Sequence, residues 1–208
     1  MERIKDLKYD DRGLIPVVVQ DIDSGQVLMV AYSTEETLMM TVEKGEMVFF
    51  SRSRQEIWHK GATSGNTLAL VSLHADCDSD TILAQVRPSG PACHTGEISC
   101  FHRPITGDDG ESPVFLGKLW SYLTKRSKAD PSESYTARIV QGPIERVAQK
   151  IGEEGVETAL AVVQRDVEQT VYETSDLLYH SMLGLISLGI PLGRIWQELK
   201  KRHEEDRR

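Results

Sequence analysis

Residues 14–32 have the sequence LIPVVVQDIDSGQVLMVAY and decide how the first half of the chain folds. Two runs rich in β-branched residues flank the short polar segment DIDSG, a pattern that predicts two strands joined as a hairpin. Residues 34–44 predict a short helix that ends at Gly45. Further strands are predicted at residues 47–50, 67–74 and 81–87. The first half is therefore expected to be a strand-rich α+β domain.

The sequence changes character near residue 105. Residues 105–113 (ITGDDGESP) are rich in glycine and acidic residues, as is typical of a linker. Beyond them, apolar residues recur at three- and four-residue steps, which predicts helices at 115–128, 144–164, 167–188 and 192–203. The expected architecture is two domains, one α+β over residues 1–104 and one all-α helical bundle over residues 114–208.

The composition is that of a folded, acidic protein. Of its 208 residues 39% are hydrophobic, and 24 basic against 32 acidic residues give a net charge of -8. Neither half is basic, which argues against a protein that binds the nucleic-acid backbone. The N-terminus has no apolar core typical of a signal peptide, and the longest apolar run is too short to span a bilayer. We therefore expect a cytoplasmic protein with neither a membrane nor a nucleic-acid partner.

The three cysteines are Cys77, Cys93 and Cys100. An odd number in a reducing compartment argues against disulfides. Three thiolates suit zinc and leave a fourth position open for a catalytic water, whose proton His94 could move. Two alternatives stay open at this point: three unpaired core cysteines, or a structural zinc with a fourth ligand from His74, His94 or His102.

Acidic residues alternate with other residues around Cys77, at Asp76, Asp78 and Asp80. In an extended chain alternate side chains share a side, so the three carboxylates would meet while Cys77 faces the other way. Hard oxygen ligands of this kind suit Mg²⁺. A solvated acidic turn is the alternative.

Residues 51–66 (SRSRQEIWHKGATSGN) combine cations with a tract of glycine, serine and threonine. Guanidinium and ammonium groups, hydroxyls and free backbone N–H groups all bind phosphate. A solvated basic loop would have the same composition. The residues expected to bind a phosphorylated substrate are Arg52, Arg54, Lys60 and Ser64.

The segments SRSRQEIWHKGATSGN, DCDSD and GPACHTGEISCF occur in this order and resemble phosphoribosyl-AMP cyclohydrolase over about residues 8–104. The resemblance implies the third step of histidine biosynthesis, in which zinc-activated water opens the adenine ring of phosphoribosyl-AMP between N1 and C6. It implies a homodimer with a zinc site shared between chains, and His94 is expected to transfer protons. The implied metal ligands are Cys77, Cys93 and Cys100 for Zn²⁺ and Asp76, Asp78 and Asp80 for Mg²⁺.

Acidic residues also cluster in the predicted helices. On a helical wheel Lys150, Glu154 and Glu157 form one stripe opposite Val156 and Leu160, as on a solvated face. The next helix is apolar almost all round and should be buried, yet it carries a thin polar stripe. A buried acid must be paired or bind a metal, and helical bundles build metal sites from facing acids. This polar stripe consists of Glu173, Asp176 and His180.

This acidic pattern, preceded by residues 136–157 (TARIVQGPIERVAQKIGEEGVE), resembles the all-α MazG-related pyrophosphohydrolases. Among them it is similar to phosphoribosyl-ATP pyrophosphatase, over about residues 115–204. The resemblance implies the second step of histidine biosynthesis, with Glu154 catalytic and Lys150 binding the substrate. The implied Mg²⁺ ligands are Glu153, Glu154, Glu157, Glu173 and Asp176.

The leading hypothesis is a bifunctional histidine-biosynthesis hydrolase whose C-terminal domain acts first on small nucleotide substrates. A zinc nucleotide deaminase fused to a housekeeping pyrophosphatase is a rival, although no CxxC pair occurs here. A second rival is a non-enzymatic, zinc-stabilised interaction domain on a helical dimerisation bundle.

Overall fold

The computed structural model describes residues 2–107 and 112–206. Contacts divide the chain into two compact units, Met1–Gly117 and Lys118–Arg208. The first is strand-rich and the second helical, which confirms the predicted two-domain layout. Residues 108–111 of the predicted linker lie outside the described part.

A mixed six-stranded sheet organises the first unit. Its strands lie in the order β4-β3-β2-β1-β6-β5, with β1 and β6 parallel and the other neighbours antiparallel. The predicted hairpin is the β1–β2 pair. In chain order the strands are β1 (Ile15–Asp21), β2 (Val27–Ser33), β3 (Val48–Ser51), β4 (Glu56–His59), β5 (Leu68–Ala75) and β6 (Ile82–Pro88).

Alternation in β1 places its β-branched side chains in the core. Ile15, Val17 and Val19 are fully buried, whereas the residues between them are only partly buried. Burying each such side chain contributes about 1.5–3 kcal/mol. The sheet is therefore held by one apolar face, and polar chemistry is left to its ends and loops.

Helix α2 (Glu35–Lys44) has the predicted bounds to within one residue because both ends are capped locally. The Thr34 side chain accepts from the backbone N–H of Thr37 in a capping box. Gly45 closes the helix in the left-handed conformation, with φ of 67°. A four-residue helix that the sequence did not predict, α1 (Glu2–Lys5), precedes the sheet.

The two longest helices of the second unit are joined by a turn of two residues. Arg165 adopts a left-handed conformation, and the Asp166 side chain caps the following helix by accepting from the Gln169 N–H at 3.0 Å. A connection this short makes the two helices an antiparallel pair. The helices after α2 are α3 (Val114–Arg126), α4 (Tyr135–Val140), α5 (Ile144–Gln164), α6 (Val167–Ser187) and α7 (Gly193–Asp206).

The sequence analysis missed one of these helices and was wrong about the burial of another. The missed helix is α4, which the Ser134 side chain caps by accepting from the Ala137 N–H at 3.2 Å. Helix α6 was expected to be buried almost all round, yet Val171 and Tyr172 are 61% and 63% exposed within one chain. In the described residues, no helix has both the length and the apolar character needed to cross a membrane.

Candidate active sites

The acidic segment after β5 forms a tight turn. The Asp76 carboxylate accepts backbone N–H groups from Asp80 and Thr81 at 3.0 and 3.1 Å. Ser79 adopts a left-handed conformation with φ of 64°. The turn brings one oxygen from each of the three exposed carboxylates within 4.8 Å of the others, so they meet around a turn rather than along the extended chain that was expected. The three residues are Asp76, Asp78 and Asp80.

Backbone donors keep this turn compatible with negative charge. Burial alone would raise the pKa of Asp76, but the N–H groups of Thr81 and Asp80 lower it below its usual value. The ionised form is the one that binds a cation. The turn is therefore a candidate site for a hard metal ion.

Cys93 and Cys100 lie next to each other in the loop after β6. The Thr95 hydroxyl donates to the Cys93 sulfur at 3.1 Å. This hydrogen bond and a second one from the Thr95 backbone lower the pKa of Cys93. Burial and the neighbouring Cys93 thiolate raise the pKa of Cys100. The Cys100 N–H donates to the Leu28 carbonyl in β2 at 2.7 Å, which fixes the loop to the sheet. The pair therefore contains one thiol that ionises more readily than an ordinary cysteine.

Lys60 faces these thiols from the loop after β4. It is only 8% exposed, and its pKa is lowered by burial but raised by the thiolates of Cys100 and Cys93. Its ammonium group donates to the Asn66 carbonyl at 3.4 Å. The structure thus places Lys60, one of the side chains expected to bind phosphate, against the cysteine pair.

The loop that carries Lys60 turns at Gly61. Its φ of 89° lies in a region that other residues rarely adopt, and a Cβ there would lie 2.5 Å from backbone atoms of Asn66 and Thr67. Gly61 therefore permits the close approach that sets Lys60 against the thiols.

Cys77 is exposed on the acidic turn. Among the described residues, no group of three metal-ligating side chains that includes a cysteine forms within one chain. His94 is exposed, with its Nδ1 3.9 Å from the Cys93 sulfur. The other two histidines considered as a fourth ligand have local partners: His74 contacts the Ser72 hydroxyl, and His102 donates to the Ser99 carbonyl.

The two arginines of residues 51–66 line an open concavity of about 390 Å³ over β2, β3 and β4. The Arg52 guanidinium stacks 3.7 Å over the ring of Tyr32, and Arg54 forms an ion pair with Glu56 at 2.8 Å. Ser64 is exposed elsewhere on the following turn, where its hydroxyl accepts the Asn66 N–H at 3.3 Å. Cationic and aromatic groups therefore share one surface here, without Lys60 or Ser64.

A second acidic group lies between α5 and α6. Glu154, Glu157 and Glu173 bring carboxylate oxygens within 4.8 Å of one another. Glu154 is 4% exposed, whereas Val156 and Leu160 are 61% and 54% exposed. The solvated-face interpretation of this stripe is thus wrong, because α5 turns its acids toward α6 and part of its apolar side outward.

Like charge is concentrated in this group. Repulsion by Glu173, followed by burial and Glu154, raises the pKa of Glu157. Lys150 offsets part of the charge, with its ammonium 3.0 Å from Glu153 and 3.4 Å from Glu154. A divalent cation could offset the remaining negative charge, so this acidic group is a candidate metal site.

Two of the predicted acidic ligands lie outside the three-carboxylate group. Glu153 is 40% exposed and accepts from Gln149 at 2.7 Å as well as pairing with Lys150. Asp176 uses its backbone carbonyl to accept from His180 Nδ1 at 3.0 Å.

Known proteins match both halves. The family model of phosphoribosyl-AMP cyclohydrolase matches residues 29–102, and that of phosphoribosyl-ATP pyrophosphohydrolase matches residues 116–203. The histidine biosynthesis bifunctional protein HisIE of Caldanaerobacter subterraneus subsp. tengcongensis is 46% identical over 97% of this chain and 98% of its own. The HisIE proteins of Escherichia coli K12 and Vibrio cholerae are 46% and 44% identical, over 92% and 98% of this chain and 92% and 95% of theirs.

The chain belongs to the HisIE family. HisIE proteins combine cyclohydrolase and pyrophosphohydrolase activities in histidine biosynthesis, so the bifunctional hypothesis is confirmed. The deaminase and the non-enzymatic interaction domain are both wrong.

Two polar residues near the helical acids have no role in the sequence-based predictions. His180 is 5% exposed, and its Nε2 lies 3.1 Å from the hydroxyl of Tyr135. Its Nδ1 lies 3.5 Å from Oε1 of Glu154. The only sequence signal was the position of His180 in a thin polar stripe of an otherwise apolar helix.

Proposed function

We propose that the two units catalyse consecutive reactions. The helical unit hydrolyses phosphoribosyl-ATP to phosphoribosyl-AMP and pyrophosphate, and the strand-rich unit then opens the adenine ring between N1 and C6. The observation that carries this proposal is that each unit has its own candidate site: carboxylates between α5 and α6 in the helical unit, and an adjoining pair of thiols together with a separate acidic turn in the strand-rich unit. Each site has the donor chemistry that its reaction requires.

In the helical, MazG-like unit, the acids of α5 and α6 would hold Mg²⁺. Two buried carboxylates and the raised pKa of Glu157 fit this role, because a divalent cation relieves the repulsion that raises that pKa. Magnesium bound here would offset the charge of the triphosphate. Glu154 would orient the attacking water, and Lys150 would contact a phosphate. The proposed ligands are Glu153, Glu154, Glu157, Glu173 and Asp176.

In the strand-rich unit, Cys77, Cys93 and Cys100 would hold Zn²⁺. The lowered pKa of Cys93 fits a thiolate ligand. Zinc held there would supply the Lewis acidity that lowers the pKa of an attacking water. The exposed imidazole of His94 would then accept a proton from the water that attacks C6 and return one to N1 as the N1–C6 bond breaks.

Charged side chains of residues 51–66 would bind the substrate's phosphates, with Lys60 doing so from beside the cysteine pair. Arg52 and Arg54 border the open concavity beside Tyr32, where guanidinium groups can form paired hydrogen bonds with phosphate oxygens. Ser64 offers a hydroxyl on the neighbouring turn. The acidic turn at Asp76, Asp78 and Asp80 would add Mg²⁺ to this site.

The active protein would be a homodimer. Supporting this, the three cysteines do not group together within one described chain, so a zinc site with all three needs a thiol from a partner. The helices also expose large apolar side chains, including Val156, Leu160, Val163 and Val171. A second copy would cover this surface.

Free thiols of this kind persist in a reducing compartment, which supports a cytoplasmic location.

Turnover of phosphoribosyl-ATP by the pure protein tests the proposal directly. With Mg²⁺ and Zn²⁺ present, mass spectrometry should show phosphoribosyl-AMP rising first and the ring-opened product following, with one pyrophosphate released per substrate. Pyrophosphate release without ring opening, in protein verified to contain zinc, would contradict the proposed second step.

Cys93→Ala separates the two sites. We expect loss of bound zinc and of ring opening, because a tetrahedral site with an open position cannot spare one of three thiolates. Pyrophosphate release should stay within about twofold, since no group of the helical site changes. Zinc content and both activities are measured on the same preparation. Retention of zinc by the variant would remove Cys93 from the ligand set.

A further inference from the structure

His180 joins three helices at the helical acid group. From α6 its Nε2 lies 3.1 Å from the hydroxyl of Tyr135 in α4. Its Nδ1 lies 3.0 Å from the Asp176 carbonyl and 3.5 Å from Oε1 of Glu154 in α5. The ring is 5% exposed and packs edge-on against Tyr179 at 5.3 Å between centroids. A buried imidazole therefore lies between a tyrosine and a carboxylate of the acid group.

The partners of His180 fix where its proton lies. A carbonyl oxygen only accepts, so the contact with Asp176 requires a proton on Nδ1. Nε2 then has a free lone pair and accepts from the Tyr135 hydroxyl. The hydrogen bonds run from Tyr135 to His180 and from His180 Nδ1–H to the Asp176 carbonyl, and Oε1 of Glu154 lies 3.5 Å from the same Nδ1.

Glu154 is held from two sides. Its Oε1 lies 3.4 Å from the Lys150 ammonium and 3.5 Å from His180 Nδ1. Lys150 is on the same helix as Glu154, so its contact cannot fix the carboxylate relative to α6. His180 is on α6, as is Glu173, the other buried acid. Among the described residues, only His180 therefore links the Glu154 carboxylate directly to α6, the helix that carries Glu173.

We propose that His180, oriented by Tyr135, is a positioning residue for the pyrophosphohydrolase reaction. It holds the Glu154 carboxylate in the orientation at which the acid group binds a divalent cation. The inference rests on the proposed metal role of Glu154. Hydrogen-bonded partners of ligating groups characteristically set ligand orientation, and their loss costs about 10- to 100-fold in metal affinity or activity.

Mn²⁺ binding to the full-length chain, measured by electron paramagnetic resonance of free Mn²⁺, tests this without turnover. His180→Leu removes both ring nitrogens and should weaken binding at the helical site about tenfold. His180→Asn keeps an N–H donor near the Nδ1 position and should bind within about threefold of the wild type. The exposed aspartate turn contributes equally in every variant, and Glu154→Gln defines which part of the binding belongs to the helical site.

Tyr135→Phe and Tyr179→Phe form a matched pair. Each removes one hydroxyl that links α4 and α6, because the Tyr179 hydroxyl lies 3.0 Å from that of Thr136. Only Tyr135 contacts His180 by its hydroxyl, so Tyr135→Phe should weaken Mn²⁺ binding and Tyr179→Phe should not. Equal effects of the two variants would show a purely structural link and overturn the inference. This comparison tests the inference even if the His180 variants fail to fold.

Two further outcomes separate the inference from the function beneath it. If folded His180→Leu binds Mn²⁺ like the wild type while Glu154→Gln does not, the positioning role is overturned and the metal site stands. If Glu154→Gln also binds like the wild type, the proposed metal site itself fails. Nitrogen NMR of labelled histidines should show the His180 proton on Nδ1, and a proton only on Nε2 would overturn the hydrogen-bond chain.

Discussion

Three carboxylates converge in each half of the molecule, but the two groups are built differently. The aspartates of the strand-rich unit lie within one turn of five residues, and all three are exposed. The glutamates of the helical unit come from two helices, and Glu154 and Glu173 are buried. Water screens the repulsion within the first group, whereas the second keeps most of it. Burial therefore decides whether an acid group destabilises the fold that carries it.

Removing one carboxylate from each group gives the largest expected effect. Glu154→Gln should lower pyrophosphate release on the order of 100-fold, because a bound cation contributes several kcal/mol of charge stabilisation. Ring opening of supplied phosphoribosyl-AMP should be unchanged. Asp78→Asn should do the reverse. Coupled assays on both variants measure this, and loss of both activities in one folded variant would contradict two independent sites.

The cost of burial can be measured in metal-free protein. Glu173→Gln removes a buried charge and keeps an oxygen that can accept from Gln169, so it should stabilise the helical unit by about 1 kcal/mol. For a unit of this size that raises the melting temperature by about 4–8 °C. Asp78→Asn, in the exposed group, should shift melting by much less. Calorimetry with and without Mg²⁺ makes the comparison, and equal shifts in the two variants would remove burial as the distinguishing factor.

The smallest expected effect is a difference in the sign of pH dependence. The raised pKa of Glu157 means that the folded state holds its proton more tightly, so its contribution to the stability of the metal-free helical unit falls as the pH rises from 4.5 through that pKa. Asp130, Glu153 and Glu198 of the same unit have lowered pKa values and contribute in the opposite direction. The lowered pKa of Asp76 gives stability that is present above pH 3.8 and lost as the pH falls through the lowered value. Hydrogen exchange, corrected for intrinsic rates, isolates each contribution when Glu157→Gln and Asp76→Asn are compared with the wild type. Contributions of the same sign would contradict the contrast.

Local patterns predicted much of the fold because their causes are local. The β1–β2 hairpin and α2 have alternation, a Thr34 cap and Gly45 within a few residues of the elements that they shape. Helix α4 has six residues, too few for a helical period to appear. Strand β4 lies in a polar stretch whose composition resembles that of a loop. It forms a strand because it pairs with β3, and composition alone does not indicate this pairing.

The sites divide in the same way. The aspartate turn is contained in five residues, so its carboxylates could be grouped from the sequence even though the expected extended geometry was wrong. The orientation of α5 could not be predicted, because on a helical wheel the apolar Val156 and Leu160 indicate the buried face more strongly than Glu154 does. Only packing against α6 places Glu154 on the buried side. His180 and Tyr135 are 45 residues apart, and no local pattern relates them.

Gly61 restricts how this protein can vary. Its backbone conformation and the 2.5 Å clearance mean that any side chain there would strain the loop and force it to move. A substitution at Gly61 would displace the loop that holds Lys60 without changing Lys60 itself. Inherited or engineered loss of cyclohydrolase activity can thus arise at a residue with no chemistry of its own.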